Sequence, residues 1–124
     1  MIDFPAPDKP EKPTGGEGSP TDGTLGGYLE HHQRSPAFQG SDGHPYTVSL
    51  EVERTANLLA PFSGFLVFPR WADTGVGIIG HLETPMLLDG QTQEDVESTL
   101  GALTLREVGN LLEEAIHRRL KETE

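Results

Sequence analysis

His81 and Glu83 come nearest, in type and spacing, to a reactive pair in this sequence. They stand two positions apart in an apolar stretch, so in a strand both side chains project from the same side. A histidine next to a carboxylate can transfer protons or supply two of the three or four ligands of a zinc site. Asp73 and His44 are candidates for a further group, but no spacing places either beside the pair. We therefore predict no catalytic residue, no metal site and no cofactor, and keep a small hydrolase or metal enzyme as the less favoured alternative.

Two other patterns have the form of known binding sites. Residues 75–80 spell G-x-G-x-x-G, which holds a dinucleotide where it follows a strand and opens a helix. Here the glycines lie inside a stretch of β-branched residues, so they indicate a bulge or a close backbone approach instead. His31 and His32 are adjacent. Because neighbours on a helix point in different directions, the pair predicts no metal site.

Binding to another protein is the chemistry that the sequence favours most. Arg70 and Trp71 end an apolar run just before the turn at Asp73. Trp and Arg are enriched at binding hot spots, and turns frequently carry function. We predict that these three residues contact a partner. In the alternative, Trp71 folds over the sheet edge and Arg70 pairs with Asp73.

The charge and apolar content of the chain narrow the classes of partner. Nine Lys and Arg oppose twenty Asp and Glu, a formal charge of −11, which repels phosphate backbones and suits a basic protein. We expect a protein partner and no nucleic acid. The absence of cysteine fits a reducing compartment, so the predicted location is cytoplasmic. The longest apolar runs, 58–62 and 65–68, are too short to span a bilayer, so no membrane contact is expected.

Residues 1–43 are predicted to form a largely disordered arm. They hold six prolines and eight glycines but few large apolar side chains, so burial would not offset the entropy of ordering them. Residues 25–32 are the exception, because their spacing predicts a short helix. Either this helix folds on a partner, with Phe38 as a second anchor, or it packs back on the domain or has no role. The apolar face of this helix comprises Leu25, Tyr28, Leu29 and His32. The arm adds three partner-binding candidates: Tyr28, Leu29 and Phe38.

Residues 44–122 are predicted to form one compact α+β domain, with an antiparallel meander of three or four strands. The first strand, 45–54, alternates apolar and polar side chains, which is typical of a strand with one face in water. The second strand, 64–70, has a continuous apolar run, so both of its faces should be covered and it should be central. A third strand follows over 76–82, and 86–88 is the candidate for a fourth, edge strand.

Two helices packed on one face of the sheet complete the predicted fold. Thr92 and Thr104 each stand three positions before an acidic residue, which is the pattern of a helix N-terminus. Gly101 separates the two patterns. We predict a short helix over 93–100 and a long one over 105–121, the latter with an apolar stripe at helical spacing.

The apolar run Gly64–Phe68 and a second predicted strand are followed by Gly90-Gln91-Thr92-Gln93-Glu94-Asp95-Val96 at the start of a predicted helix. This order, over residues 64–100, resembles the HicB family of antitoxins, which has a similar G-x-T-x-E-E-A pattern. The family's Pro-Gly-Cys turn before the final strand has no counterpart here. The resemblance implies an acidic antitoxin or immunity-type inhibitor, whose charge would complement a basic toxin.

The lead hypothesis is a non-enzymatic protein–protein interaction module or a subunit of a larger assembly. Such a protein would bind through the Arg70–Trp71 turn, the exposed edge of the sheet, or the arm. A domain of this size has a small core, which an added copy would enlarge. A homo-oligomer, formed when the first strand pairs with a second copy of the chain, is therefore the alternative kind of association.

Overall fold

An antiparallel sheet with helices packed on one side forms the fold, in a computed structural model that describes residues 23–123. The predicted disorder of residues 1–22 lies outside the described residues. The α+β class and the order of strands followed by a short and a long helix are confirmed. The described elements are α1 (Leu25–His32), β1 (Phe38–Gln39), β2 (Pro45–Tyr46), β3 (Ser49–Arg54), β4 (Phe62–Trp71), β5 (Ile78–Glu83), β6 (Leu88–Gly90), α2 (Gln93–Gly101) and α3 (Leu105–Thr123).

Strand β4 is the centre of the sheet, as its apolar run predicts. Along one edge it pairs with β3 and, at its end, with β2. Along the other edge it pairs with β5 and, at its beginning, with β6. All of these pairings are antiparallel, and the short strand β1 extends the sheet beside β2. The sheet is thus a meander of three long passes, of which the first and third are interrupted. The last strand begins at Leu88, two residues later than predicted.

Helix α2 packs directly on the sheet because two glycines leave room for it. A Cβ at Gly64 would overlap Val96 Cγ1, and one at Gly90 would lie 2.8 Å from Val96 Cγ2. Val96 is fully buried there. Thr92 caps the start of this helix, because its hydroxyl accepts a hydrogen bond from the amide of Asp95 at 3.0 Å. This is the cap that the sequence predicts.

Helix α3 begins with a reciprocal capping box. Thr104 Oγ1 accepts a hydrogen bond from the amide of Glu107 at 3.1 Å, and Glu107 Oε1 accepts one from the amide of Thr104 at 2.9 Å. Its apolar stripe closes the core over β4 and β5, with Val108, Leu112 and Ile116 almost fully buried. Among the helices of the described residues, none is both long and apolar enough to cross a membrane.

Helix α1 packs on the domain, against α2. Leu25 is fully buried in the core, and its amide donates to Leu103 O at 2.8 Å. A Cβ at Gly26 would lie 3.2 Å from the backbone of Gly101, so the two helices meet at glycines. Of the two interpretations of this segment, the structure supports the one in which it packs back on the domain.

Candidate functional site

The two faces of strand β4 differ in what covers them. On its even-numbered side, Leu66 and Phe68 are fully buried beneath the helices. Because successive side chains of a strand project to opposite faces, the odd-numbered residues lie on the far side of the sheet. We call this side the open face, since α2 and α3 pack on the other one. Its apolar side chains, all half-buried, are Phe65, Val67, Pro69 and Trp71.

Carboxylates border this apolar stripe on both sides. Residues directly opposite in an antiparallel pair share a face. On β3, Glu51 lies opposite Phe65. On β5, Glu83 lies opposite Val67. Two further carboxylates stand on the same face, on β3 and β6: Glu53 and Asp89. The open face is therefore an apolar stripe between acidic borders.

Trp71 ends the stripe and is held in place by a hydrogen bond. Its indole Nε1 donates to Thr47 Oγ1 at 3.0 Å, which fixes the ring against the sheet. The ring forms one wall of a shallow, mostly apolar cavity of about 260 Å³, which Ala37, Pro45 and Gly75 also line. The arrangement offers an apolar side chain of another molecule a place beside a fixed aromatic ring.

Arg70 lies on the helix side of the sheet, although it neighbours Trp71 in sequence. Its Nη1 is 3.9 Å from Asp42 Oδ2, so it pairs with Asp42 and not with Asp73. The hydroxyl of Tyr46 donates to the same oxygen at 2.7 Å. Burial, followed by the hydrogen bond to Asp42, raises the pKa of Tyr46 to about 12. This network fastens the turn before β2 to the sheet, and it separates Arg70 from the predicted contact surface around Trp71.

The candidate acid–base residues form two separate pairs. His81 Nε2 is 3.3 Å from Glu83 Oε2, and this pair borders a cavity of about 230 Å³ beside the last turns of α3. His44 Nδ1 is 3.5 Å from Asp73 Oδ1, and the Asp73 side chain is 80% exposed. Among residues 23–123, no three His, Asp or Glu side chains converge as metal ligands would.

The arm candidates lie against the domain. Leu29 and Phe38 are partly buried on the core. Tyr28 is half-buried, and its ring centroid lies 4.1 Å from that of His32. Of the six partner-binding candidates, Trp71 is the one that the structure places on the open face.

Further apolar side chains are exposed at the two ends of β4. A register shift next to Trp71 marks a bulge, and Ile78 and Ile79 beside it are 57% and 52% exposed. Gly75 and Gly77 adopt positive φ in the turn, which explains these two glycines of the G-x-G-x-x-G pattern by backbone geometry. At the opposite end, Leu58 and Leu59 project from the β3–β4 turn.

Three residues of the open face were not predicted as site residues from the sequence: Phe65, Val67 and Pro69. A continuous apolar run predicts that a strand is covered on both faces, and the helices of the described residues cover one of them. The available signal was the alternation itself, since the odd positions of 65–71 are all apolar. Counting alternate positions also separates Arg70 from Trp71.

Comparison with known proteins adds no relative. No protein-family model matches this chain, and no curated protein or solved structure matches it significantly. The resemblance to HicB antitoxins therefore rests on the quoted residues alone.

Proposed function

We propose that this chain is a non-enzymatic protein-interaction module that binds a basic partner on the open face of its sheet. The observation that carries the proposal is the apolar stripe from Phe65 to Trp71 between acidic borders. Monomeric proteins rarely expose contiguous apolar patches larger than a few hundred Å², and large patches rimmed by polar residues mark interaction sites. A stripe along the central strand is contiguous by construction, because alternate side chains of one strand are neighbours on its face.

The composition of the stripe suits a binding hot spot. Aromatic side chains dominate interface energetics because each buries a large area at a small entropy cost. Trp71 is already fixed by Thr47, so little further freedom is lost when a partner covers it. The cavity beside its ring provides a pocket for one apolar side chain of the partner.

The acidic borders determine which partner fits. Glu51 and Glu83 flank the stripe from opposite sides, and the whole chain carries a formal charge of −11. Such a surface attracts a basic partner over distances comparable to the Debye length, about 8–10 Å at physiological salt, and repels acidic ones. An inhibitor of a basic toxin is the narrower form of the same proposal.

The arrangement of titratable groups supports a binding module over a hydrolase. A catalytic site needs a nucleophile, a base and a stabilising group in mutual geometry. His81 pairs with Glu83, and His44 pairs separately with Asp73. These two pairs do not supply the three groups that a hydrolase would need together.

A pull-down with matched variants tests the proposal. The full chain is immobilised, and partners are collected from the native cell with wild type, Trp71→Ala and Glu83→Lys. The controls are Leu58→Ala, an exposed apolar residue in the β3–β4 turn, and Glu114→Lys, an exposed acid on α3. We expect one partner to be retained by wild type and both controls, weakened at least about tenfold by each open-face variant, and released by salt.

The opposite pattern contradicts the proposal. If Trp71→Ala and Glu83→Lys both retain the partner while circular dichroism shows them folded, the open face is not the binding surface. If the partner is lost equally from Leu58→Ala, the interaction is general apolar adsorption.

A further inference from the structure

Among the described residues, strand β3 leaves one edge of the sheet unpaired. The amide of Thr47 donates to Pro69 O and that of Thr55 to Pro61 O. The backbone amides and carbonyls of the odd-numbered residues between them therefore point toward β4. The alternation of an antiparallel ladder then directs the amides and carbonyls of Leu50 and Val52 outward. Among the described strands β3 pairs with β4 alone, and no bond from either amide to another described loop or turn is present. A row of unpaired backbone groups is a template for another strand.

The free edge has a defined beginning. The outward amide of Val48 donates to Ser35 Oγ at 2.8 Å, so the segment after α1 closes the edge at that residue. From Leu50 onward no described strand pairs with this edge. The opposite edge of the sheet is less regular, because β5 carries the bulge near Trp71 and ends before the loop at Pro85. Side chains of α3 also stand beside it.

The side chains of β3 specify what an added strand must carry. Glu51 and Glu53 lie on the open face, while Leu50 and Val52 pack toward the core. In an antiparallel addition, residues beside the two glutamates occupy non-hydrogen-bonded positions, where cross-strand side chains come closest. Lysine or arginine fits there, and apolar side chains fit beside Leu50 and Val52.

A second copy of β3 is a poor occupant of the same edge. Antiparallel self-pairing centred on Glu51 or on Val52 places carboxylates opposite carboxylates, and like charges directly opposite are destabilising. Charged residues on an edge strand are a known protection against uncontrolled self-pairing. The same charges favour a strand of opposite sign.

We infer that the basic partner is bound by strand addition: an extended segment with alternating basic and apolar residues pairs with β3 at Leu50 and Val52. This inference rests on the proposed function and specifies how the partner is recognised. Main-chain hydrogen bonds supply the attachment, and Glu51 and Glu53 select the charge. The rest of the partner then continues over the apolar stripe of the open face.

The probe that tests this inference is a ten-residue peptide of alternating lysine and valine with blocked ends. It is titrated into the full isotope-labelled chain, and amide hydrogen exchange is followed by NMR. We expect exchange at Leu50 and Val52 to slow by at least about tenfold at saturation, because these amides gain partners. Glu51 and Glu53 should change little, since their amides already face β4. A peptide of the same composition with its lysines in one block is the control for general attraction.

Backbone methylation of the peptide distinguishes strand pairing from contact between side chains. Valines opposite Leu50 and Val52 point their amides at β3, whereas the lysines point theirs away. Methylating the valine nitrogens should weaken binding about tenfold or more, and methylating the lysine nitrogens should weaken it much less. Glu53→Lys should weaken the peptide more than Glu114→Lys, although both change the net charge equally.

Each result decides the question. Unchanged exchange at Leu50 and Val52, equal effects of the two methylations, or no binding at all overturns strand addition. If exchange is unchanged but the resonances of Val67 and Trp71 shift, strand addition is wrong and the open face remains the binding surface. Loss of the open face as a site is judged separately, by the pull-down with Trp71→Ala and Glu83→Lys.

Discussion

Truncation of Leu25 tests whether the segment before β1 belongs to the folded core. Leu25 is 0% exposed and contacts the core cluster, and its amide is bonded to Leu103. Replacing a buried leucine by alanine removes transfer free energy and leaves a cavity, at a cost of about 2–5 kcal/mol. The total free energy of unfolding of a natural domain is about 5–15 kcal/mol. Leu25→Ala should therefore remove a large part of the stability.

Thermal and urea unfolding followed by circular dichroism measure this loss. For a domain of about 100 residues, 1 kcal/mol corresponds to about 4–8 °C in Tm, so Leu25→Ala should lower Tm by about 10 °C or more. The matched control is Leu58→Ala, because Leu58 is 93% exposed and surface substitutions stay within about 0.5 kcal/mol. The urea m-value should be unchanged if both variants unfold to the same state.

Equal melting temperatures of the two variants would contradict a core role for Leu25. If Leu25→Ala unfolds at the same temperature as Leu58→Ala, residues 25–32 add nothing to the core. The domain would then begin near residue 44, as the composition of the arm predicts. A drop confined to Leu25→Ala would place the start of the folded domain at or before residue 25.

Three further predictions concern the sheet, its helices and its alkaline stability. Gly64→Ala should lower the free energy of unfolding by about 1–3 kcal/mol through overpacking against Val96, which urea melts will show. Thr104→Ala should cost about 1 kcal/mol in the same assay, because α3 loses its cap. The raised pKa of Tyr46 means that the folded state holds its proton more tightly. Its contribution is therefore complete below pH 10 and lost as the pH rises toward 12. Tyr46→Phe should abolish that alkaline loss of stability relative to wild type.

The elements that the sequence predicts well are those decided by local chemistry. Helix α3 has a capping box and a long apolar stripe, so its start at Leu105 follows from Thr104 and Glu107 without tertiary information. Strand β3 follows from its alternation in the same way. The central position of β4 follows from its continuous apolar run.

The parts that the sequence leaves open depend on contacts between distant residues. Helix α1 has eight residues, too few to be stable alone. Its docking depends on Gly26 meeting Gly101 and on the bond from Leu25 to Leu103. A glycine signals flexibility in a sequence and does not state which backbone it approaches. Composition alone therefore assigns this segment to the arm.

The candidate site was half predictable for a related reason. Trp71 stands out by type and position, but its neighbour Arg70 belongs to a different network because a strand alternates its faces. Phe65 and Val67 read as core residues, since an apolar residue looks the same whether its own chain or another molecule buries it.

That ambiguity bears on the proposed function directly. The side chains of a strand can be apolar because the protein's own core buries them or because a partner does. In β4 the even positions account for folding, because Leu66 and Phe68 are fully buried by the helices. The odd positions are just as apolar and lie between Glu51 and Glu83. If the open face contacted only water, polar residues there would not lower the stability of the fold and would reduce aggregation. An apolar stripe with acidic borders is what a surface needs if it must bind a basic partner and repel its own copies.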